Sequence, residues 1–545
     1  MGSDVEVDLG AERLALLRAR DAVADKLEVI SGISGGGADA LSDEYIGAVV
    51  AGTIEKFQQE LVVFGRIDDD QPWRVGLYGI DSGGDQLVID WRAPFAEAFY
   101  QASFSSPHGL ERRVSYVGCI DDLFVEDFAT GQVAGSSPLM AELSRSRGTE
   151  MRTAVATLQA DQDRLVRLDP TERLVLRGGP GTGKTVIGLH RAAWLVYNDT
   201  RVTADRILVI GPSDRFLQFV SAVLPTLGET RIAQTTFDRL FGPSDPAADD
   251  ERWIEVIDRF EAGLYGPGPV SIGAVREIPE ADVAELIERL RDRPLPWRDR
   301  RKIFVESLAN RYGVKPAVVA KGAQAAWPSM TTRQAMAKLG SANVLRSLGV
   351  DEEVVPAWAA AAKRGGGALE DEVRHRFEGV PARYSHVIVD EAQDMTMLQL
   401  RSVMRRANGV TLVGDDAQRS NPAGLGLRRA APLLEVELEQ IDTAYRMSAE
   451  IAEWLNDHAR RHGIDAVELV GIRPTGVPVT THPEADAAAT ELRSRWDNVT
   501  VIRAGEVWIH KGVEYDGVVV ALDGMTPHEV YLAASRAAHE LILVE

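Results

Sequence analysis

The run Gly178-Gly179-Pro180-Gly181-Thr182-Gly183-Lys184-Thr185 fits the pattern G-x-x-x-x-G-K-[ST]. In that spacing, glycines turn successive backbone N–H groups inward around a phosphate. The lysine reaches the β- and γ-phosphates, and the hydroxyl ligates Mg²⁺. The flanks agree: Arg173 to Leu176 reads as a buried parallel strand, and Val186 to Tyr197 as an amphipathic helix with its positive end toward the phosphates. A Gly-rich turn with no ligand needs neither flank. Downstream, Val387-Ile388-Val389-Asp390-Glu391-Ala392-Gln393-Asp394 places two carboxylates at the end of an apolar strand. Asp390 is positioned to hold Mg²⁺ through water, and Glu391 to activate an attacking water. The pair of motifs predicts ATP and Mg²⁺ as ligands.

These residues need a parallel sheet to bring them together. Strand patterns recur at Arg206–Ile210, His386–Asp390 and Val410–Val413, with a helix at Met397–Arg406. A second set follows at Val477–Thr481, Val499–Arg503, Gly517–Leu522 and Leu541–Val544. Alternating strands and helices predict an α/β fold with two parallel sheets. Between the two parts of the first sheet, Thr236 to Arg383 is mostly helical and reads as an insertion. Upstream, Ala11–Ile30 and Ser42–Glu60 carry apolar residues at helical spacing and predict an antiparallel hairpin, each arm roughly 30 Å long at 1.5 Å per residue. Short strands at Arg74–Ile80, Leu87–Trp91, Val114–Ile120 and Leu123–Glu126 predict a small β-rich module, followed by helix over Ser144–Leu168. The divisions expected are 1–63 hairpin, 64–143 β module, 144–235 and 385–438 first α/β domain, 236–384 insertion, and 439–545 second α/β domain.

The chain has 545 residues, 45% of them hydrophobic, and a net charge of −22. That length suits roughly three or four domains. One cysteine, Cys119, excludes a disulfide framework and a multi-cysteine zinc site, and suits a reducing cytoplasm. No signal peptide opens the chain, and no apolar run of about 18 residues is present, so no membrane partner is expected. Residues 1–150 hold 26 Asp and Glu against 12 Lys and Arg, a net of −14. Phosphate neutralisation needs cations, so this end is a poor nucleic-acid binder and suits a basic surface. An acidic surface that only keeps the chain dispersed explains the count equally well.

The order of further motifs resembles UvrD-like superfamily 1 helicases, which split ATP between two RecA-like domains. Asp390-Glu391-Ala392-Gln393-Asp394 resembles their motif II. By that resemblance Gln162, sixteen residues before Gly178, reads adenine, and Gln418 in Gly414-Asp415-Asp416-Ala417-Gln418 senses the γ-phosphate. Tyr445 stacks on adenine, Arg446 touches the γ-phosphate, and Glu514 in Lys511-Gly512-Val513-Glu514-Tyr515-Asp516 lies near the ribose. Arg536, in Tyr531-Leu532-Ala533-Ala534-Ser535-Arg536-Ala537, serves as an arginine finger. Phe64-Gly65-Arg66-Ile67-Asp68, Leu87 through Phe95, Phe99-Tyr100, Thr157 through Asp163 and Gly188 through Trp194 are similar to HelD proteins. Those are ATP-dependent factors that bind core RNA polymerase and release it from nucleic acid, one type being linked to rifampicin resistance. The resemblance implies a monomer whose N-terminal hairpin enters the polymerase's secondary channel while the insertion probes the primary channel.

Departures are visible. Ala444 stands where the family has Asn, both the hairpin and the insertion are short, and the chain stops at Glu545 directly after its last predicted strand. The stretch Arg419 to Leu427 lacks the aromatic that UvrD-like translocases stack on bases, a contact worth about 1–3 kcal/mol per base. About 65 residues separate Arg446 from Lys511, too few for the large domain that helicases of the group insert there. These features favour an ATPase that remodels RNA polymerase, with weak or indirect nucleic-acid binding, over a DNA or RNA translocase of repair type. A nucleotide-sensing module with feeble turnover is the third alternative, and it requires Arg446 or Arg536 to be misplaced.

Overall fold

The computed structural model describes residues 7–31, 63–117, 122–139, 158–169, 171–273, 276–380 and 383–545. The expected second arm of the hairpin, Ser42–Glu60, and most of the Ser144–Leu168 helix lie outside these residues. The first arm is a helix over Leu9–Ser31. In its first turn, Glu12 is buried and receives Arg66 at 2.8 Å, Arg74 at 2.9 Å and the Tyr116 hydroxyl. A carboxylate with three donors keeps its charge despite burial, so this residue pins the helix to the sheet beneath.

That sheet has seven strands, spatially Ile80–Ser82, Asp85–Asp90, Pro72–Gly76, Val63–Asp68, Arg112–Tyr116, Leu123–Asp127 and Gln132–Ala134. The single strand expected over Arg74–Ile80 is two strands. The chain leaves the ladder after Gly76, and Ile80–Ser82 pairs antiparallel with Asp85–Asp90 through the turn at Gly83 and Gly84. Alternation alone cannot register such a corner, because the apolar pattern continues through Leu77 and Tyr78, both buried.

A six-stranded parallel sheet follows, in the order Ala233–Thr236, Ile207–Gly211, Tyr384–Val389, Ala407–Gly414, Leu174–Gly178, Leu438–Ile441. Successive residues of its central strands point to opposite faces. Val175, Leu208, Val387 and Leu412 face one core, and Leu176, Val209, Ile388 and Val413 the other. The first core is closed by helices from the 236–384 segment, including Trp253–Ala262, Trp297–Tyr312 and Gly367–Phe377. The second is closed by the helix Lys184–Asn198, by the seven-stranded sheet through Phe64, Ile67 and Val75, and by Trp91, Phe99 and Tyr100 beside that sheet. Both faces are covered, which is why these strands read as continuous apolar runs.

A second parallel sheet has four strands, Thr480–His482, Ala537–Val544, Tyr515–Ala521 and Val499–Ile502. The strand expected over Val477–Thr481 starts later, at Thr480. The boundary drawn between 438 and 439 also moves. Leu438–Ile441 runs parallel to Leu174–Gly178 in the first sheet, and the chain crosses to the second unit only after Ile441. Leu-Glu-Gln-Ile is an edge strand with one buried residue, so it carries no buried-strand signature. Among the described residues no helix is long and apolar enough to cross a membrane.

Candidate functional site: a phosphate cradle between two parallel sheets

In a parallel sheet every strand delivers its C-terminal end to one edge, where ligands bind. Gly178, Val389 and Gly414 all end strands at that edge. After Gly178 the chain passes through Gly179, the buried Pro180, Gly181 and Thr182, and Lys184 opens a helix of 15 residues. The N-cap Gly183 has φ +85°, and a Cβ there would lie 2.7 Å from Nε2 of Gln162, so glycine is required twice over. Thr182 Oγ1 and Lys184 Nζ both donate to the Gly179 carbonyl, at 2.8 and 2.7 Å.

Thr185 Oγ1 donates to Asp390 Oδ2 at 2.7 Å, joining the two motifs across 205 residues of sequence. Burial and the neighbouring Glu391 charge both push the Asp390 carboxyl above its usual range. Glu391 behaves oppositely: burial raises it, but Lys511, Lys184 and Arg536 more than offset that and hold it below the ordinary range. The two adjacent carboxylates are thus driven apart, one short of positive charge and one ionised. A hydroxyl beside a charge-starved carboxylate suits Mg²⁺, and the inward-turned loop with Lys184 suits phosphates.

Glu391 sits at φ +55°, ψ +37°, a left-handed conformation that costs a non-glycine residue about 1 kcal/mol or more. Gln393 secures it, donating from Nε2 to Glu391 Oε2 at 2.6 Å while its Oε1 accepts from the Asp415 amide at 3.0 Å. Asp415 in turn accepts from Gln418 Nε2 at 2.9 Å. Gln393 and Asp415 stand inside the Asp390–Asp394 and Gly414–Gln418 motifs, but their pairing is visible only in the fold.

The second unit completes the arrangement. Arg536, buried after the helix Pro527–Ala534, donates to Oε1 of Gln418. Lys511 Nζ lies 3.3 Å from Glu391 Oε2 and also contacts Asp394 and Ser420. No local pattern marks this lysine, because only the fold carries it 120 residues back to the carboxylate. The Tyr445 amide donates to the Gly181 carbonyl at 3.0 Å. Leu469 covers the loop so closely that a Cβ on Gly179 would lie 2.3 Å from its Cδ2.

Four residues with expected ligand contacts are engaged within the protein. Gln162 caps its own helix through Gln159 and donates to the Thr182 carbonyl at 3.1 Å. The Tyr445 hydroxyl donates to Asp161 at 3.3 Å, and Glu514 takes Arg446 at 3.2 Å. The helix that carries Gln162, Ala160–Val166, is fixed by buried Arg191, whose guanidinium donates to the Val166, Leu168 and Asp169 carbonyls at 3.2, 2.7 and 2.9 Å. Arg191 thus ties the end of the helix Ala160–Val166 to the helix Lys184–Asn198.

Residues 12–118 match the N-terminal domain of DNA helicase IV HelD, and residues 162–423 match an AAA domain. These two matches support a HelD-like protein of the UvrD-like group. The first match spans the Glu12 anchor and five strands of the seven-stranded sheet. The second begins at Gln162 and includes Lys184, Thr185, Asp390, Glu391 and Gln418, but not Tyr445, Arg446, Glu514 or Arg536. No curated protein matches the HelD-like chain. Among solved structures it is similar to arterivirus nonstructural protein 10, a helicase, at 13% identity over 71% of this chain and 62% of that one, TM-score 0.29. It is also similar to that protein's complex with DNA, at 12% identity over 70% and 63%, TM-score 0.30. A third match is PRRSV helicase, at 11% identity over 70% and 54%, TM-score 0.27. The chain spans less than two thirds of the length of those structures.

Proposed function

We propose that this chain is a Mg²⁺-dependent ATPase whose two parallel-sheet units, both RecA-like, close on ATP to remodel RNA polymerase and release it from nucleic acid. The observation that carries the ATPase reading is Arg536 of the second unit bonded to Gln418 of the first, at the same sheet edge as Lys184 and the Asp390–Glu391 pair. Thr185 and Asp390 are the residues to hold Mg²⁺, which when bound would neutralise charge on the phosphates. Lys184 and the loop amides orient the phosphates, and Gln162 and Tyr445 bracket the base side. Glu391, kept ionised and aimed by Gln393, accepts the proton of the attacking water. Arg536 and Arg446 supply positive charge where it develops in the transition state, so turnover depends on the two units meeting. The divisions given above, with the last crossing moved past Ile441, are part of this proposal.

The polymerase is supported by the match to the HelD N-terminal domain together with the acidic N-terminal quarter. A polymerase channel that holds nucleic acid is lined by cations, and complementary charge steers association. The test uses the full chain with core polymerase stalled on a labelled scaffold. ATP-dependent release is expected from the wild type and not from Glu391→Gln, which should still bind polymerase. Unwinding of a tailed duplex at physiological salt, without polymerase, would instead establish a translocase.

A further inference from the structure

The chain is strongly acidic, yet residues 289–338 hold 12 Lys and Arg against 3 Asp and Glu, a net of +9. This stretch lies in the helical segment, well away in sequence from every phosphate-site residue, and it contains an open groove of about 330 Å³. One wall is the helix Trp297–Tyr312, which presents Arg298, Arg301, Lys302 and Val305. The other is the short helix Pro316–Gly322, presenting Pro316, Ala317 and Ala320, with Met330 at the end.

Among the described residues, the cations of the groove have only one carboxylate partner, Asp299. Among the described residues Arg301 donates to main-chain carbonyls alone, Trp327 at 2.8 Å and Ala320 at 2.9 Å, and burial lowers its pKa. Among the described residues, Lys302 makes no ion pair, and Arg298 meets only its neighbour Asp299, at 3.3 Å. A single acidic residue, Glu306, lines the groove. Arg298 and Lys302 are exposed, while Arg301 is pinned in place by the two carbonyls. Positive charge held beside an uncovered aliphatic surface is favourable only to a ligand that brings both negative charge and apolar side chains.

The floor distinguishes between polyanions. Trp297 is fully buried, and its indole N–H is satisfied by the Pro328 carbonyl at 2.8 Å. Its ring face is therefore not offered to a nucleobase, and the exposed apolar groups lining the groove are aliphatic, Pro316 and Ala317. Single-strand sites stack bases on exposed aromatics, which this groove does not present. We propose that the groove between Arg298–Val305 and Pro316–Ala320 docks an acidic protein segment carrying aliphatic side chains, independently of the ATP site. Two or three apolar anchors at helical spacing would fill the floor while carboxylates reach Arg298, Arg301 and Lys302.

The probe is a short fluorescein-labelled peptide of Glu with Leu at i, i+3 and i+4 spacing, titrated with the full chain at low salt and followed by anisotropy. Saturable binding is expected. It should weaken by roughly tenfold or more in the double variant Arg298→Glu, Lys302→Glu, and on replacing the peptide's Leu by Ser. Arg460→Glu, the same type of charge reversal at an exposed site on the second unit, should leave it unchanged. Both altered positions are exposed, so folding is checked simply by an unchanged melting curve. Failure of the peptide to bind overturns the proposal. So does equal binding of polyglutamate, or oligo-dT binding more tightly than the peptide with loss in the same double variant, which would make the surface a nucleic-acid site.

Discussion

The two parallel-sheet units meet at one site but contribute in different ways. The six-stranded unit supplies groups held by consecutive backbone at strand ends: the loop amides, Lys184 and Thr185 on the first turn of a helix, Asp390 one residue past a strand. The four-stranded unit supplies long cations, Lys511 and Arg536, that reach across to partners in the other unit. On the proposed reading the first half holds the phosphates and Mg²⁺, and the cations of the second sense whether the halves are together. A site divided in this way separates binding from turnover, and substitutions on the two sides should differ in kind.

The sharpest break sets Lys184→Ala against Arg536→Ala. Both should lower turnover by about 10³-fold or more, the scale of a lost phosphate cation or arginine finger. Only Lys184→Ala should also lose nucleotide binding, measured with a fluorescent ATP analogue. If Arg536→Ala loses binding to the same degree, the second unit is part of the cradle and the division fails.

Within the first unit, Glu391→Gln should keep nucleotide binding and slow hydrolysis by about 10²-fold or more, the usual contribution of a general base. Hydrolysis at the wild-type rate would remove Glu391 from that role. The cross-unit cation beside it gives a smaller, pH-dependent effect. Lys511 holds the Glu391 carboxyl low, and the base must be ionised, so activity falls as pH drops through its pKa. Lys511→Met should raise that pKa, moving the acid limb of the kcat/KM profile to higher pH, with roughly tenfold loss below it and less at alkaline pH. An unmoved acid limb would mean that Lys511 only tethers Asp394.

The smallest effect concerns closure itself. Arg177, buried on the strand before the loop, reaches Asp465 of the second unit at 2.9 Å, and Arg428 meets the same carboxylate at 3.0 Å. Because Asp465 is half exposed, Asp465→Ala should cost only about 1 kcal/mol. It should appear as an earlier melting transition without ATP, and saturating ATP should reduce the difference.

Legibility in the sequence followed the same divide. The loop, the helix behind it and Asp390–Glu391 were readable because their chemistry depends on residues adjacent in the chain. The strands carrying them were readable because covered faces force continuous apolar runs. The Leu438–Ile441 edge strand and the corner at Gly76 were not, since their patterns depend on a neighbour rather than on burial. Met397–Arg406 was placed to the residue, where Thr396 caps the helix and accepts from the Gln399 amide at 3.4 Å.

By itself, then, the sequence determined a phosphate cradle, an adjacent carboxylate pair and two sets of parallel strands to carry them, because each is written in a short local pattern. What ionises Glu391 and what aims it depend on contacts made across the fold. Lys511 comes from 120 residues away, and Gln393 acts by spanning to the Asp415 amide, one residue past a neighbouring strand. Charge and hydrogen bonding act through space, and their partners in this chain are set by which strand ends the parallel sheets bring to a common edge.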